Sequence, residues 1–401
     1  MLISVLACAA TAAFGQGTPR VASTKVLSER GSTRATRYMV SNKIVTIDGK
    51  THITWLDSIS EIMVATYDHA GGTWGEPVHV GSGTDNHGGP ALLSDSGGHL
   101  HIIFGPHAGP FHHCVSAQPN NTAEWTRQED FGVDGTYPSA VFDTDDTLHI
   151  IYRGGPYPAK RLVYQRKPEG QPWSGLTDLA ASPLESGYTH FHSSLAIAPD
   201  QSLHVAYDIF YDGVAKCAGY LTSSDRGDTW TLADGGAAQL PITPDQDAFF
   251  RRDEDQLTVA SIVCDSAGRP WVSLTRLELW LFDAGEWRVI RPAATSPFAD
   301  DVGSGAFGTL TIDARDRLYW LGPIGREYQL FYSADAGQTW SLHSVAKPLP
   351  DMPLMGPSLE RPTGHNTVTV PWALFSHGPK GPDLFGEGIH HRVTAAQLSS
   401  K

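Results

Sequence analysis

Two histidines stand among glycines and prolines: His87 in Asp85-Asn86-His87-Gly88-Gly89-Pro90, and His107 in Gly105-Pro106-His107-Ala108-Gly109-Pro110. Glycine lets a ligand approach the backbone closely. Further along come Tyr137, Tyr152-Arg153-Gly154-Gly155, Lys160-Arg161, and Tyr188, His190 and His192. Tyr207-Asp208, Tyr211, Asp247 and Arg251-Arg252-Asp253 follow. Imidazole and phenol groups move protons, and guanidinium groups offset negative charge. Brought to one face, these residue types would perform proton transfer on an anionic ligand.

The elements that must position them are repeated. Trp74, Trp125, Trp173, Trp230, Trp287 and Trp340 recur about every fifty residues, the mark of one supersecondary unit copied along the chain. Two of them close the pattern S-x-D-x-G-x-T-W, at Ser223–Trp230 and Ser333–Trp340, with looser copies ending at Trp74 and Trp287. The pattern resembles the Asp-box hairpin of sialidase-type β-propellers, which signals architecture and not activity. In phase with it run short strands: Thr51–Trp55, Leu100–Phe104, Leu148–Tyr152, Leu203–Tyr207, and degenerate copies at Pro270–Leu274 and Leu318–Leu321. Most follow a turn rich in Asp, Gly and Ser.

Each repeat reads as four strands. A last one begins near Met355, with strands at Thr367–Val370 and His391–Thr394, and lacks an outer strand that Val21–Leu27 could supply. The expectation is an all-β fold: a seven-bladed β-propeller of four-stranded antiparallel blades with Asp-box turns, a single domain over residues 17–401, its ring closed by an N-terminal strand. In such a blade, the loop entering the inner strand and the loop after the second strand open on one face. That puts His87 and His107 on the pocket face of one blade. His52, His101, His149 and His204 repeat one slot in four blades and read as structural.

Asp-Asn-His-Gly-x-Pro-Ala-Leu-Leu, the Gly-Pro-His-x-Gly-Pro loop and the Tyr-Arg-Gly-Gly strand end resemble the BNR-4 group of propellers, whose best understood members are ulvan lyases. The resemblance covers the second to fourth blades, and the rest through the Asp boxes. It implies β-elimination beside a uronic acid, a reaction that neutralises the carboxylate, removes the C5 proton and protonates the leaving oxygen. By position it implies His87 and His107 as the two histidines, one of them the base, and Tyr152 as the proton donor. For the cation, Arg161 sits at the pocket end of its strand, with Arg153 and Arg166 as alternatives. Tyr207 fits the second tyrosine better than Tyr211, and Arg251 joins the substrate-binding candidates. No cofactor is required for that chemistry.

His190 and His192 project to the same side of an extended strand and, with Cys217, could hold a structural zinc, whose usual ligands are imidazole and thiolate. Two rival readings compete with the lyase. A sialidase is disfavoured because Arg37-Tyr38-Met39-Val40 stands where an Arg-Ile-Pro signature belongs, although another glycosidase could use Asp208, Asp247 or Asp253 as its carboxylate pair. A binding propeller without catalysis would use an aromatic rim of Tyr137, Tyr188 and Tyr211.

Composition sets the outer bounds. A formal charge of −14 argues against nucleic acid, whose affinity comes from Lys and Arg. It also disfavours a polyanion, unless cations concentrate locally, as Arg153, Arg161, Arg251 and Arg252 could. The expected partner is thus an anionic polysaccharide or oligosaccharide, met by a monomer with no membrane span. Residues 1–16 are apolar with a small-residue exit at Ala13-Phe14-Gly15 and resemble a secretory signal, so the expected location is secreted or periplasmic. Without Cys8, three cysteines remain, an odd number that permits one Cys217–Cys264 bridge or buried thiols.

Overall fold

Strand follows strand, with no helix among the described residues. The computed structural model describes residues 19–155, 160–183, 191–254, 256–290, 308–379 and 389–399. The expected signal segment, Tyr188 and His190 lie outside them. Five four-stranded antiparallel sheets begin with Ala91–Ser94, Thr136–Phe142, Ser193–Ile197, Val259–Cys264 and Thr309–Ile312. A nine-stranded sheet holds both the first and the last described strands. In it Arg20–Gly31 pairs with His391–Ser399 from Arg20↔Ser399 to Gly31↔His391, supplying the outer strand that the last repeat lacks. The first strands of successive sheets touch in chain order around a common centre. The circle closes where the Glu360 carboxylate accepts from the Thr46 amide (2.6 Å) and hydroxyl (3.0 Å). This is β-propeller architecture, which leaves only short, protected edges.

The repeated histidines explain how the strands are seeded. Asp143 Oδ1 accepts the amides of Asp145 and Thr147, fixing the turn between the first two strands, and Oδ2 lies 3.2 Å from His149 Nε2. His101 reaches Asp95 in the same way at 3.3 Å. In the degenerate copies Trp271 donates to Asp265 (3.2 Å) and Tyr319 to Asp313 (3.1 Å). The slot therefore demands a buried N–H or O–H donor, and histidine is one way to supply it. His204 acts through Ser202, which bonds Asp200 in turn. Among these histidines, His52 pairs instead with Asn120 and Thr66.

The Asp boxes close the same end, where Arg226 of one box pairs with Asp143 of a neighbouring first turn. Asp225 Oδ1 accepts the Thr229 amide and Oδ2 its hydroxyl, while Ser223 Oγ takes the Gly227 amide. Asp335 repeats each bond with Thr339 and Ser333. The closing tryptophans Trp230 and Trp287 then pack against the preceding sheet, on Tyr164 (5.2 Å between centroids) and Phe250 (4.3 Å), and Trp74 packs on Trp372 (5.5 Å) within the nine-stranded sheet. Each large ring thus staples neighbouring sheets with its buried apolar area.

One expected strand is displaced. Thr367–Val370 is not extended sheet, and the strand of that repeat is Trp372–His377. Val368 gives its carbonyl to the Ala314 amide of the neighbouring sheet, and Pro371, with no N–H, marks the boundary.

Candidate active site

The loops flanking Ala91–Ser94 and Leu100–Phe104 bring His87 and His107 together, as the register anticipates. Their rings stack with centroids 3.7 Å apart and 12° between planes. The approach depends on glycine: a Cβ on Gly88 would stand 2.2 Å from the Gly105 carbonyl oxygen. Asp85 holds both rings. Its Oδ1 accepts from the His87 amide (2.7 Å) and lies 3.0 Å from His87 Nδ1, while Oδ2 lies 3.1 Å from His107 Nδ1. An ionised carboxylate can only accept, so the neutral rings carry hydrogen on Nδ1 and keep Nε2 as a proton acceptor. Burial would raise the Asp85 pKa, but the bonds from His107 and His87 outweigh it and hold the group well below the usual carboxylate range. Burial lowers the pKa of His87. The His87 side chain is 4% exposed and that of His107 32%, so His107 is the ring a ligand can reach.

A loop ahead of the first repeat completes the site, and sequence reasoning passed over it. Tyr38 lies beside His87 (6.3 Å) and Tyr137 (4.7 Å), and its hydroxyl accepts from the Arg34 guanidinium. Both tyrosines hold left-handed backbone, φ 65° and 61°, which is rare for a bulky side chain. The loop is pinned from below. Lys43, fully buried, donates to the carbonyls of Tyr38 (3.2 Å), Ser41 and Pro90, and Ser41 donates to Pro138. Burial, helped by Arg361, pushes the Lys43 pKa down to about 7. Beside the tyrosines opens a cavity of about 460 Å³, whose lining includes Arg34, Arg37, Tyr38, Tyr137, His192 and Tyr328. Neither His87 nor His107 lines it; the pair connects to its wall through Tyr38, whose ring centroid is 6.3 Å from that of His87. The signal that could have exposed this loop is its density of Arg34, Arg37 and Tyr38 just outside the repeat register.

Other sequence candidates fall elsewhere. Tyr152 is not in the cavity: it is fully buried against Phe111, and its hydroxyl donates to Gln165 (2.6 Å). Alternation along the strand turns its neighbour Arg153 to the site instead. Arg153, 2% exposed, donates to Thr136 Oγ1 (3.0 Å) and the His107 carbonyl (3.3 Å), and its guanidinium covers the Tyr137 ring at 5.0 Å. Tyr207 is likewise fully buried in the sheet core. Arg161 pairs with Asp178 (3.3 Å), Arg251 with Asp253 and Glu278, and Arg166 with Asp228 of an Asp-box turn. Tyr211 lies under Lys216 (5.2 Å) and Tyr137 is 4% exposed, so these two do not form an open aromatic rim.

The carboxylates of the glycosidase reading are scattered too. Asp208 is fully buried and accepts the amides of His192 and Val259, Asp253 pairs with Arg251, and Asp247 lines a separate cavity beside Trp287. Of the zinc set, His190 lies outside the described residues. His192 lines the main cavity, while Cys217 takes a bond from Arg252 (3.4 Å) and contacts Tyr211. Cys114, Cys217 and Cys264 are free thiols, so the Cys217–Cys264 bridge is absent. Among the described residues, the group of potential metal ligands that converges is Asp85, His87 and His107, with ligand atoms within 4.8 Å.

The fold and this paired-histidine face define a propeller with a candidate proton-transfer site. Residues 50–280, more than half of the chain, match the BNR repeat-containing family, and the chain belongs to it. It is similar to an ulvan lyase of Alteromonas sp. (strain LOR), 23% identical over 239 residues, covering 49% of each chain. It is also similar to an ulvan lyase of Pseudoalteromonas sp. (strain PLSV), 22% identical over 274 residues, covering 57% of this chain and 56% of the relative. The matches thus span about half the length of these curated relatives. A solved ulvan lyase bound to -[GlcA(1-4)Rha3S]- superposes with a TM-score of 0.72 at 16% identity, over 91% of this chain and 94% of that one. That likeness is one of fold.

Proposed function

We propose that this protein is an exported polysaccharide lyase that cleaves a uronic-acid-containing, ulvan-like polysaccharide by β-elimination. The observation that carries the reading is the Asp85-held histidine pair: His107 keeps Nε2 as a base and remains accessible beside a cavity lined by arginine and tyrosine. The named activity of the relatives supports it. In this reading Asp85 fixes the tautomer and His107 removes the C5 proton. Positive charge from Arg34, Arg37 and Arg153 offsets the enolate that develops on the carboxylate. The same cations answer the overall charge of −14, since local field outweighs the total.

The scaffold in this reading is one domain of seven blades over residues 17–401. The nine-stranded sheet divides at the single Gly31↔Asp57 pairing into two blades, which join the five separate sheets. Export fits a polymer too large to enter a cell and the apolar first sixteen residues. The proton transfers rest on the chain's own groups, because each Nδ1 is engaged by Asp85, so dialysis against a chelator should leave the rate unchanged. Loss of activity restored by zinc would contradict that. Mass analysis of products from ulvan tests the reaction type. Elimination yields unsaturated ends lighter by one water than hydrolytic ones, and saturated ends alone would overturn the proposal.

A further inference from the structure

Elimination needs a proton for the departing sugar oxygen, and the expected donor, Tyr152, is sealed in the core with its hydroxyl bonded to Gln165. Among the described residues, three tyrosines line the cavity: Tyr38, Tyr137 and Tyr328. Tyr137 and Tyr328 are each 4% exposed, and Tyr137 is wedged between the Tyr38 ring and the Arg153 guanidinium. Tyr38 is the half-buried one. Its ring continues the row of His107 and His87, with steps of 3.7 and 6.3 Å between centroids. Its hydroxyl is the acceptor of an Arg34 guanidinium N–H. That leaves its own hydrogen for another partner, and places a fixed cation where a phenolate would form.

The surroundings hold this arrangement in place at the cost of strained backbone. Tyr38 sits at φ 65°, with its carbonyl tied to buried Lys43. Lys43 also ties Pro90, at the end of the His87 loop, and Asn86 of that loop donates to Thr33 (3.0 Å). Strain in a bulky residue persists only where neighbours overdetermine it, and it gathers at functional sites.

We propose that Tyr38 is the catalytic acid of the elimination and Arg34 its positioning partner, an inference that rests on the lyase reading above. The step balances. The C5 proton passes to His107 Nε2, and the C5 electron pair forms the C4=C5 bond. The C4–O bond breaks with its electrons on oxygen, which takes the Tyr38 proton. Arg34 stabilises the phenolate until solvent reprotonates it, while His107 releases its proton to solvent. Burial raises the Tyr38 pKa to about 12 against the pull of Arg34, so the phenol is protonated throughout the neutral range, as a donor must be.

The test compares leaving groups. Wild type, Tyr38→Phe and Arg34→Leu are assayed on ulvan and on a glucuronide carrying 4-nitrophenol at its C4 oxygen, a leaving group that departs without protonation. Tyr38→Phe should lower kcat on ulvan by about 10²- to 10⁴-fold, as loss of a general acid does. It should keep most of the rate on the nitrophenyl substrate, with Arg34→Leu showing the same pattern more weakly. Equal losses on both substrates, with melting temperatures unchanged, would make Tyr38 a wall residue and overturn the proposal. So would an unchanged kcat on ulvan. Wild-type protein that forms no unsaturated product from ulvan would instead overturn the lyase reading itself.

Discussion

Two histidines in this molecule, His149 and His107, each meet an aspartate and differ in everything that follows from their setting. His149 is fully buried, with Nε2 on Asp143 and Nδ1 on the Tyr164 hydroxyl at 2.7 Å, so both nitrogens are engaged inside the sheet stack. His107 meets Asp85 through Nδ1, and its side chain is 32% exposed. One carboxylate–imidazole pair closes a turn, and the other is the pair proposed to prepare a base. Whether the second nitrogen is engaged and the ring accessible decides between structure and chemistry, not the residue type.

The largest effect that would sharpen this contrast is on the carboxylate of the reactive set. Asp85→Asn presents an amide N–H to Nδ1, favouring the tautomer with hydrogen on Nε2 and removing the base. The expected loss in kcat on ulvan is roughly 10²- to 10⁴-fold with the fold intact. Steady-state kinetics with a parallel thermal melt checks this, and a variant as active as wild type would break the comparison.

The structural set should respond in the opposite way. His149→Ala strips partners from buried Asp143 and Tyr164, at a cost of about 2–3 kcal/mol in stability. Its kcat, measured well below the melting temperature, should match wild type. Denaturant titration reads the first quantity, and a kcat loss without a stability loss would contradict the assignment.

Acid should expose the same division. Burial holds His52 and His204 down to about 4, whereas in the unfolded chain each titrates near its ordinary value of about 6.5. As pH falls the unfolded chain binds these protons first, so their contribution is complete above about 6.5 and is lost progressively towards 4. Melting temperature should therefore drop over that window, and a flat profile would count against the buried, neutral assignment. A smaller effect is expected at the Asp box. Asp225→Ala removes the bonds to Thr229 and should cost about 1 kcal/mol without touching activity.

The period of the tryptophans and the strand–turn pattern made the architecture legible, because a repeat must bury its faces on its neighbours. His87 and His107 were legible because they break that pattern in glycine-rich loops. Tyr152 was placed on the wrong side for a definite reason. Strand ends alternate faces residue by residue, and a one-residue error exchanges the Phe111 side for the Tyr137 side, as Tyr152 and Arg153 show. At Tyr207 alternation gives no such exchange, because Asp208 beside it is fully buried as well. Asp85 stood in the quoted motif without a role, since its bond to His107 spans two loops. Arg34 and Tyr38 escaped because the loop from Arg20–Gly31 to Ile44–Ile47 belongs to no repeat, so no register argument reached it. Closure of the ring is what carries that loop over the site.

The most direct test of eliminative cleavage is the ultraviolet absorbance of unsaturated uronate during incubation with ulvan, run with wild-type protein and His107→Ala side by side. A steady rise is expected with wild type, and a rate lower by about 10²-fold or more with the variant. New reducing ends without that absorbance, or a rise that His107→Ala leaves unchanged, would contradict it.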